Sequence, residues 1–491
     1  MNDLYRDARK ADKDVQSSFT FDDAALKKAL KRIYEKDFNP MTEIEENLFN
    51  ATWETMNKAI DKGFGARQEN DPDFDFYNAL KNDASVFAAF KTHRWQNDIV
   101  RQLLDEKGNL KSFEEFKRDT EQYVSPQHKD QWLKTEYDTA ILRARQAAEW
   151  KQFEREKDIL PNLKWIPSTS IHPGADHQKF WGTILPIDHP FWSEHRPGDR
   201  WNCKCGLSST DEKPTVIPES IPGNKPDPGL DNNPGKDAKL FSDDHPYIKE
   251  AYPGAKKAAD KLLKRIKEMI AEMPDNLTEE EKMAIARHNL EIEKALNITK
   301  GKPMTVEEAD KQHANPNYGK EKGYGINCQT CAPAYVLRYK GFNVTAKSNT
   351  KGSKLEYLSR GMNAWEVWKN IDGTPAQHTS MNDWLTAKGY LKMTQKRYLE
   401  FFNEICKEEG IYELSIGWKG GGGHATILQR FSNGELRYIE PQLDNSKGSG
   451  RESHDLEYLA KYGSEKIHNC RGIMRIDNKL FNIDHIDIFD Q

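Results

Sequence analysis

The punctuation of this chain changes at Pro161, and that change limits what any single core can be. Before it, across about 155 residues, proline and glycine are sparse. FDDAALKKALKRIYEK, EENLFNATWETMNKAI and LKTEYDTAILRARQAAEWKQF carry apolar residues at i, i+3, i+4 spacing with charges between, which predicts helices. After it, PNLKWIPSTSIHPGADHQKFWGTILPIDHPFWSEHRPGDRWNCKCG is crowded with Pro, Gly, His and Trp and predicts a small loop-rich module. The next stretch, EKPTVIPESIPGNKPDPGLDNNPGKDAKL, offers little apolar surface and reads as an exposed linker. Helical spacing returns from 246, where Thr278 and Glu281 have the form of a capping box. From about 300 the pattern is mixed. CAPAYVLRYKG reads as a helix stopped by Gly341, followed by the strand FNVTA, and IYELSIGW, HATILQRF and ELRYIEPQ read as strands.

The expected architecture is therefore multidomain. A mainly α region with the loop-rich module covers 1–212, a linker 213–245, a helical spacer 246–299 and an α+β domain 300–491. Charged residues make up 31% and the net charge is −5, which gives no basis for wrapping nucleic acid or for sequence-specific binding to it. No apolar run approaches the ~20 residues that span a bilayer, so no membrane is expected. The start, MNDLYRDARKADKD, lacks the apolar core of a secretory signal. Six cysteines are too few for a disulfide scaffold. They fall as Cys203-x-Cys205, Cys328-x-x-Cys331, Cys406 and Cys470.

The Cys328-x-x-Cys331 pair carries the chemistry of the C-terminal part. A thiol becomes a nucleophile at a helix N-terminus with a histidine nearby. Pro333 fits a first helical turn, so the helix is expected to begin near Ala332. Cys331 would then sit at the helix mouth and Cys328 one turn upstream. His424, after four glycines and at the head of a strand, is the best-placed base. The strand ends at Ser432-Asn433-Gly434 and ELRYIEPQ returns. A three-residue loop with Gly434 left-handed pairs Phe431 with Glu435 and His424 with Gln442. Glu440 then lies diagonally from His424 on the same face. A two-residue loop would throw Glu440 and Gln442 to the other face together. The alternatives are a zinc half-site or an ordinary hairpin histidine.

The order Cys, His, acid or amide is papain-like, and CQTCAPAY resembles the papain CGSCW-type sequence. INCQTCAPAYVLRYKGFNVTA, GGHATI and YIEPQ together resemble the papain-fold toxin domains of bacterial polymorphic toxins over about 300–491. That resemblance implies a papain-like α+β fold and a glutamine deamidase or peptidase. It places the nucleophile on Cys331 or Cys328, the base on His424 and the orienting group on Glu440 with Gln442 beside it. Asn327 and Gln329 are oxyanion candidates. The family usually has Asp-Pro-Gln where this chain has Glu440. No cofactor is implied. The partners would be a target protein with a reactive glutamine and an immunity protein.

The stretch DHPFWSEHRPGDRWNCKC, preceded by TEYDTAILRARQAAEW, resembles the minor head proteins of phage Mu F type over about 100–215. This implies a virion component associated with the phage portal and head proteins, whose toxin domain acts in the cytoplasm of a target cell. The alternatives are a cysteine protease toxin, or a purely structural head protein with a non-enzymatic, zinc-binding tail. Exposed segments at 213–245 and 298–304 are the expected cleavage points for releasing the toxin. Within the module, Cys203 and Cys205 with some of His172, His177, His189 and His195 have residue types that suit zinc. The plainer reading is that these histidines and Trp192 and Trp201 pack into a small core, with no metal.

Overall fold

Apolar spacing in the N-terminal third becomes packed helix. A computed structural model describes residues 23–68, 70–121, 133–171, 173–218, 225–273, 277–443, 456–466 and 471–490. Its helices begin with α1 (Asp23–Glu35), α2 (Glu46–Ile60), α3 (Phe74–Val100), α4 (Phe113–Asp119) and α5 (Lys134–Glu156). The chain divides into two units, residues 1–268 and 269–491.

In the first unit, α2, α3 and α5 close on one another through Met56, Leu80, Ala84, Phe87, Ala140 and Ala144. Small residues set the distance. A Cβ on Gly63, just beyond α2, would stand 2.2 Å from the Ile141 carbonyl oxygen. After α5 comes a three-stranded antiparallel sheet, β1 (Asn162–Ile166), β2 (Ile184–Pro186) and β3 (Gly206–Thr210), in the order β2-β1-β3. Its core is aromatic: Trp150, Trp165, Phe180, Phe191 and Trp192 surround Cys205.

The expected linker is largely part of this unit. Leu230, Leu240 and Phe241 are buried. The anchor is Arg143 on α5, itself fully buried. Its Nε donates to Leu240 O (2.5 Å), Nη1 to Gly198 O (2.8 Å) and Leu230 O (3.2 Å), and Nη2 to Asn232 O (2.9 Å) and Oδ1 (2.5 Å). All five guanidinium donors are used. Composition could not reveal this, because backbone carbonyls saturated by one cation need no apolar side chains of their own.

In the second unit, the Thr278–Glu281 capping box is present at the start of α7 (Glu279–Leu296), which follows α6 (Ala255–Ala271). The helix α8 (Cys328–Tyr339) packs against a five-stranded sheet. Its strands are β4 (Thr379–Ser380), β5 (Gly410–Gly417), β6 (Gly423–Arg430), β7 (Leu436–Ile439) and β8 (Gly472–Arg475), in the order β4-β8-β5-β6-β7. One core holds α8 with Ile411, Ile427 and Ile439. A second holds Leu414, Leu428 and Tyr438 with the helices α9 (Met381–Ala387), α10 (Gln395–Ile405) and α11 (Leu456–Tyr462). The expected strand FNVTA shrinks to Thr345–Ala346, paired with Phe489–Asp490. The expected cleavage point at 298–304 is also tied down. Lys300 is buried against Glu272 (2.8 Å), and Gly301 N donates to Gly341 O (2.9 Å). Gly341 ends α8 with φ of +102°, in the left-handed region where glycine is favoured.

Candidate functional sites

The hairpin of β6 and β7 fixes one half of the C-terminal site. Gly434 has φ +82°, Phe431 N donates to Glu435 O (2.9 Å), and the ladder pairs Arg430 with Leu436 and Ile427 with Ile439. This is the three-residue-loop register. It puts His424 and Glu440 on one face, and His424 Nε2 lies 2.7 Å from Glu440 Oε2. Tyr438 Oη also donates to Glu440 Oε2, and Gln442 N donates to Glu440 Oε1 (3.1 Å). The Trp418 ring stacks on His424 at 5.5 Å between centroids.

The helix supplies the other half, and here the expected start is corrected. α8 begins at Cys328, one turn earlier than Pro333 suggested. Pro333 sits inside the helix, where its absent N–H leaves the Gln329 carbonyl without its helical partner. The early start is held from outside. Asn327 is fully buried, and its Nδ2 donates to Asn315 Oδ1 (3.0 Å) and Lys347 O (3.0 Å). Its Oδ1 accepts from Gln442 Nε2 (3.3 Å) and Asn315 Nδ2 (3.3 Å). Thr330 N and Cys331 N both donate to the Asn327 carbonyl.

The consequence for the two cysteines is opposite. Cys331 lies one turn inside, fully buried in the apolar core, where burial pushes its thiol well above the ordinary range. Cys328 is half-buried at the helix start, and its thiol is among the groups that raise His424. Burial alone would lower the His424 pKa. The Glu440 charge, the Cys328 thiol and the bond to Glu440 outweigh it and raise the group to about 10. Glu440 shifts the other way: burial would raise it, and His424 with its hydrogen bonds brings it below the usual value. An imidazolium–carboxylate pair thus stands against a thiol at a helix N-terminus. Asn327, with its amide engaged, holds the helix start and is not free to meet an oxyanion. Gln329 is half-buried, and its Oε1 has no partner. The turn before His424 is open: a Cβ on Gly420, Gly421 or Gly422 would touch nothing.

A second cysteine–histidine cluster lies in the first unit. His177 sits on the short helical turn Ala175–Gln178, and Cys203 and Cys205 lead into β3. Asn202 has φ +59°, which turns the chain between Trp201 and the first thiol. His177 Nδ1 is 3.4 Å from Cys203 Sγ, and His177 Nε2 is 2.7 Å from Asp199 Oδ1. One donor atom from each of His177, Cys203 and Cys205 lies within 4.8 Å of the other two. Burial would lower the His177 pKa, but the Asp199 carboxylate and the Cys205 contact raise it to about 9. Of the other candidate histidines, His189 Nδ1 accepts from Phe191 N (3.1 Å) and so caps a turn. His195 is buried and stacked on Phe180 at 4.8 Å. His172 and Cys470 lie outside the described residues. The five described cysteines are all free thiols.

Residues 101–208 match the family model of Phage Mu protein F like protein. This Mu F-like stretch runs from the end of α3 into β3 and contains the whole His177, Cys203 and Cys205 cluster. No curated protein and no solved structure matches the chain.

Sequence reasoning missed four supporting residues: Asn315, Trp418 and Tyr438 in the second unit, and Asp199 in the Mu F-like stretch. Asn315 and Asp199 act across 12 and 22 positions, where no periodicity signals a contact. Tyr438 was within reach: it stands two before Glu440 on the same strand face.

Proposed function

We propose that the chain is a phage minor head protein whose C-terminal unit is a cysteine hydrolase toxin, acting on the glutamine side chains of a target protein. The head role rests on the Mu F-like match over 101–208. It implies residence in the virion, portal and head proteins as partners, and delivery of the second unit into the cytoplasm of a target cell. The enzymatic role rests on one observation: His424 is buried 2.7 Å from Glu440, with the Cys328 thiol at the start of α8 among the groups that raise His424.

In this mechanism the nucleophile is Cys328, not Cys331. Its thiolate attacks the amide carbon of glutamine. The oxyanion meets the free backbone N–H groups at the start of α8, with Gln329 beside them. His424 gives its proton to the departing ammonia, leaving a thioester on Cys328. His424 then takes a proton from water, hydroxide adds to the thioester, and glutamate leaves as the thiolate is restored. Glu440 holds the imidazole in place throughout.

The test is expression of the full chain in bacterial cytoplasm as wild type, Cys328→Ala, Cys331→Ala and His424→Ala. Growth inhibition should disappear with Cys328→Ala and His424→Ala and persist with Cys331→Ala. Inhibition that survives both of the first two changes sinks the thiol mechanism. With an isolated target, ammonia release without chain cleavage supports deamidation, and new peptide ends would make the enzyme a protease.

A further inference from the structure

The Mu F-like stretch contains a metal centre's worth of donors, and the geometry assigns a zinc site to His177 Nδ1, Cys203 Sγ and Cys205 Sγ. A tetrahedral zinc with Zn–S of about 2.3 Å and Zn–N of about 2.0 Å sets sulfur and nitrogen about 3.5 Å apart. Cys203 Sγ and His177 Nδ1 lie 3.4 Å apart. All three donor atoms fall within 4.8 Å of one another, the one such group of histidine, cysteine and carboxylate side chains found among the described residues. Two thiolates and an imidazole are the soft and borderline donors that zinc selects over calcium or magnesium.

The outer contacts favour the same reading. Asp199, buried, accepts a hydrogen bond from His177 Nε2–H at 2.7 Å and so turns the Nδ1 lone pair toward the sulfurs. This is the carboxylate–histidine pairing found behind metal-bound imidazoles. The backbone N–H of Cys205 lies 3.4 Å from Cys203 Sγ, placed to steady a charged sulfur. Three protein donors leave the fourth tetrahedral place to solvent.

The ion would join the turn at 175–178 to the start of β3 across 26 residues. That span matters here, because the sheet it closes has strands of only 5, 3 and 5 residues. Metal binding energy becomes folding energy.

The test uses the full chain, isolated under reducing conditions without chelator. Elemental analysis should find about one zinc per chain. After removal of zinc, added Co²⁺ should give a near-ultraviolet thiolate-to-cobalt charge-transfer band that saturates near one equivalent. The band should vanish in Cys203→Ser and Cys205→Ser and persist in Cys328→Ser, which separates this cluster from the second unit's thiols. Asp199→Asn, which keeps both sulfurs, should bind cobalt about 10- to 100-fold more weakly. Should the serine variants fail to fold, the wild-type titration and Asp199→Asn decide. A wild-type chain with neither zinc nor a cobalt band overturns the site. So does a band that survives both serine changes.

Discussion

The two units each contain a cysteine, a histidine and a carboxylate, and both histidines sit 2.7 Å from their acid. What separates them is where the second thiol goes. In Cys203-x-Cys205 an extended, turned backbone sends both sulfurs to one imidazole. In Cys328-x-x-Cys331 a helix carries the second thiol one turn inward, into the core with Ala332 and Val336. Two sulfurs on one histidine, inside an aromatic wall, suit a bound ion. One sulfur on one histidine, beside an open glycine turn, suits attack on a substrate. Spacing by one residue, read with the local backbone, therefore separates the proposed ion site from the proposed nucleophile.

The largest effect that would break this contrast lies in the cysteines themselves. Cys328→Ala should lower hydrolysis by ~10³-fold or more, whereas Cys331→Ala should leave the rate within a few-fold. Cys331→Ala should instead cost about 1 kcal/mol in chemical denaturation, as a small cavity in a packed core. Equal loss of activity in both variants would mean that the second unit uses its thiols as a pair, as proposed for the first.

Next comes the carboxylate. Glu440→Gln keeps the shape and removes the charge, and the rate should fall by ~10²- to 10⁴-fold. The same change should alter the pH response of stability. His424 is raised to about 10, so the stability gained from its charge is complete below its unfolded value of ~6.5 and is lost as pH rises through 10. Glu440 is lowered, so its contribution is complete above its unfolded value of ~4.3 and is lost as pH falls through the depressed folded value. Denaturation midpoints of the wild type should hold steady between about pH 4.3 and 6.5, fall progressively from about 6.5 to 10, and fall again below about 4.3. Glu440→Gln should lose the alkaline drop tied to His424.

The smallest expected effect tests the register. Gly434→Ala forces a side chain into φ +82° and should cost about 1 kcal/mol, with the hairpin and the rate largely kept. A collapse of activity far beyond that cost would mean that the loop is held less firmly than the paired strands imply.

These outcomes also mark what the residues could and could not announce. The hairpin was legible because strand faces alternate with period two and Asn433-Gly434 permits few turns, so His424 and Glu440 could be joined before any coordinates. The start of α8 was not, because it depends on Asn315, Lys347 and Gln442 meeting Asn327 from distant segments. Proline at 333 then misled: its preference for a first turn was outweighed by those contacts. In the first unit the residue types of the cysteine–histidine cluster were visible, while Asp199 and the aromatic enclosure were not. The segment after 213 was misread for a related reason, since its order comes from one arginine on a helix about 90 positions earlier.

That arginine has a practical consequence for anyone dividing the gene. A fragment ending at residue 212, where composition invites a cut, would keep the Gly198 carbonyl but take away Leu230, Asn232 and Leu240. Arg143 would then face a hollow with most of its donors stranded. A fragment carried past Tyr247 would keep every one of those acceptors. The natural seam of the polypeptide lies where its hydrogen bonds end, well beyond the place where its prolines begin.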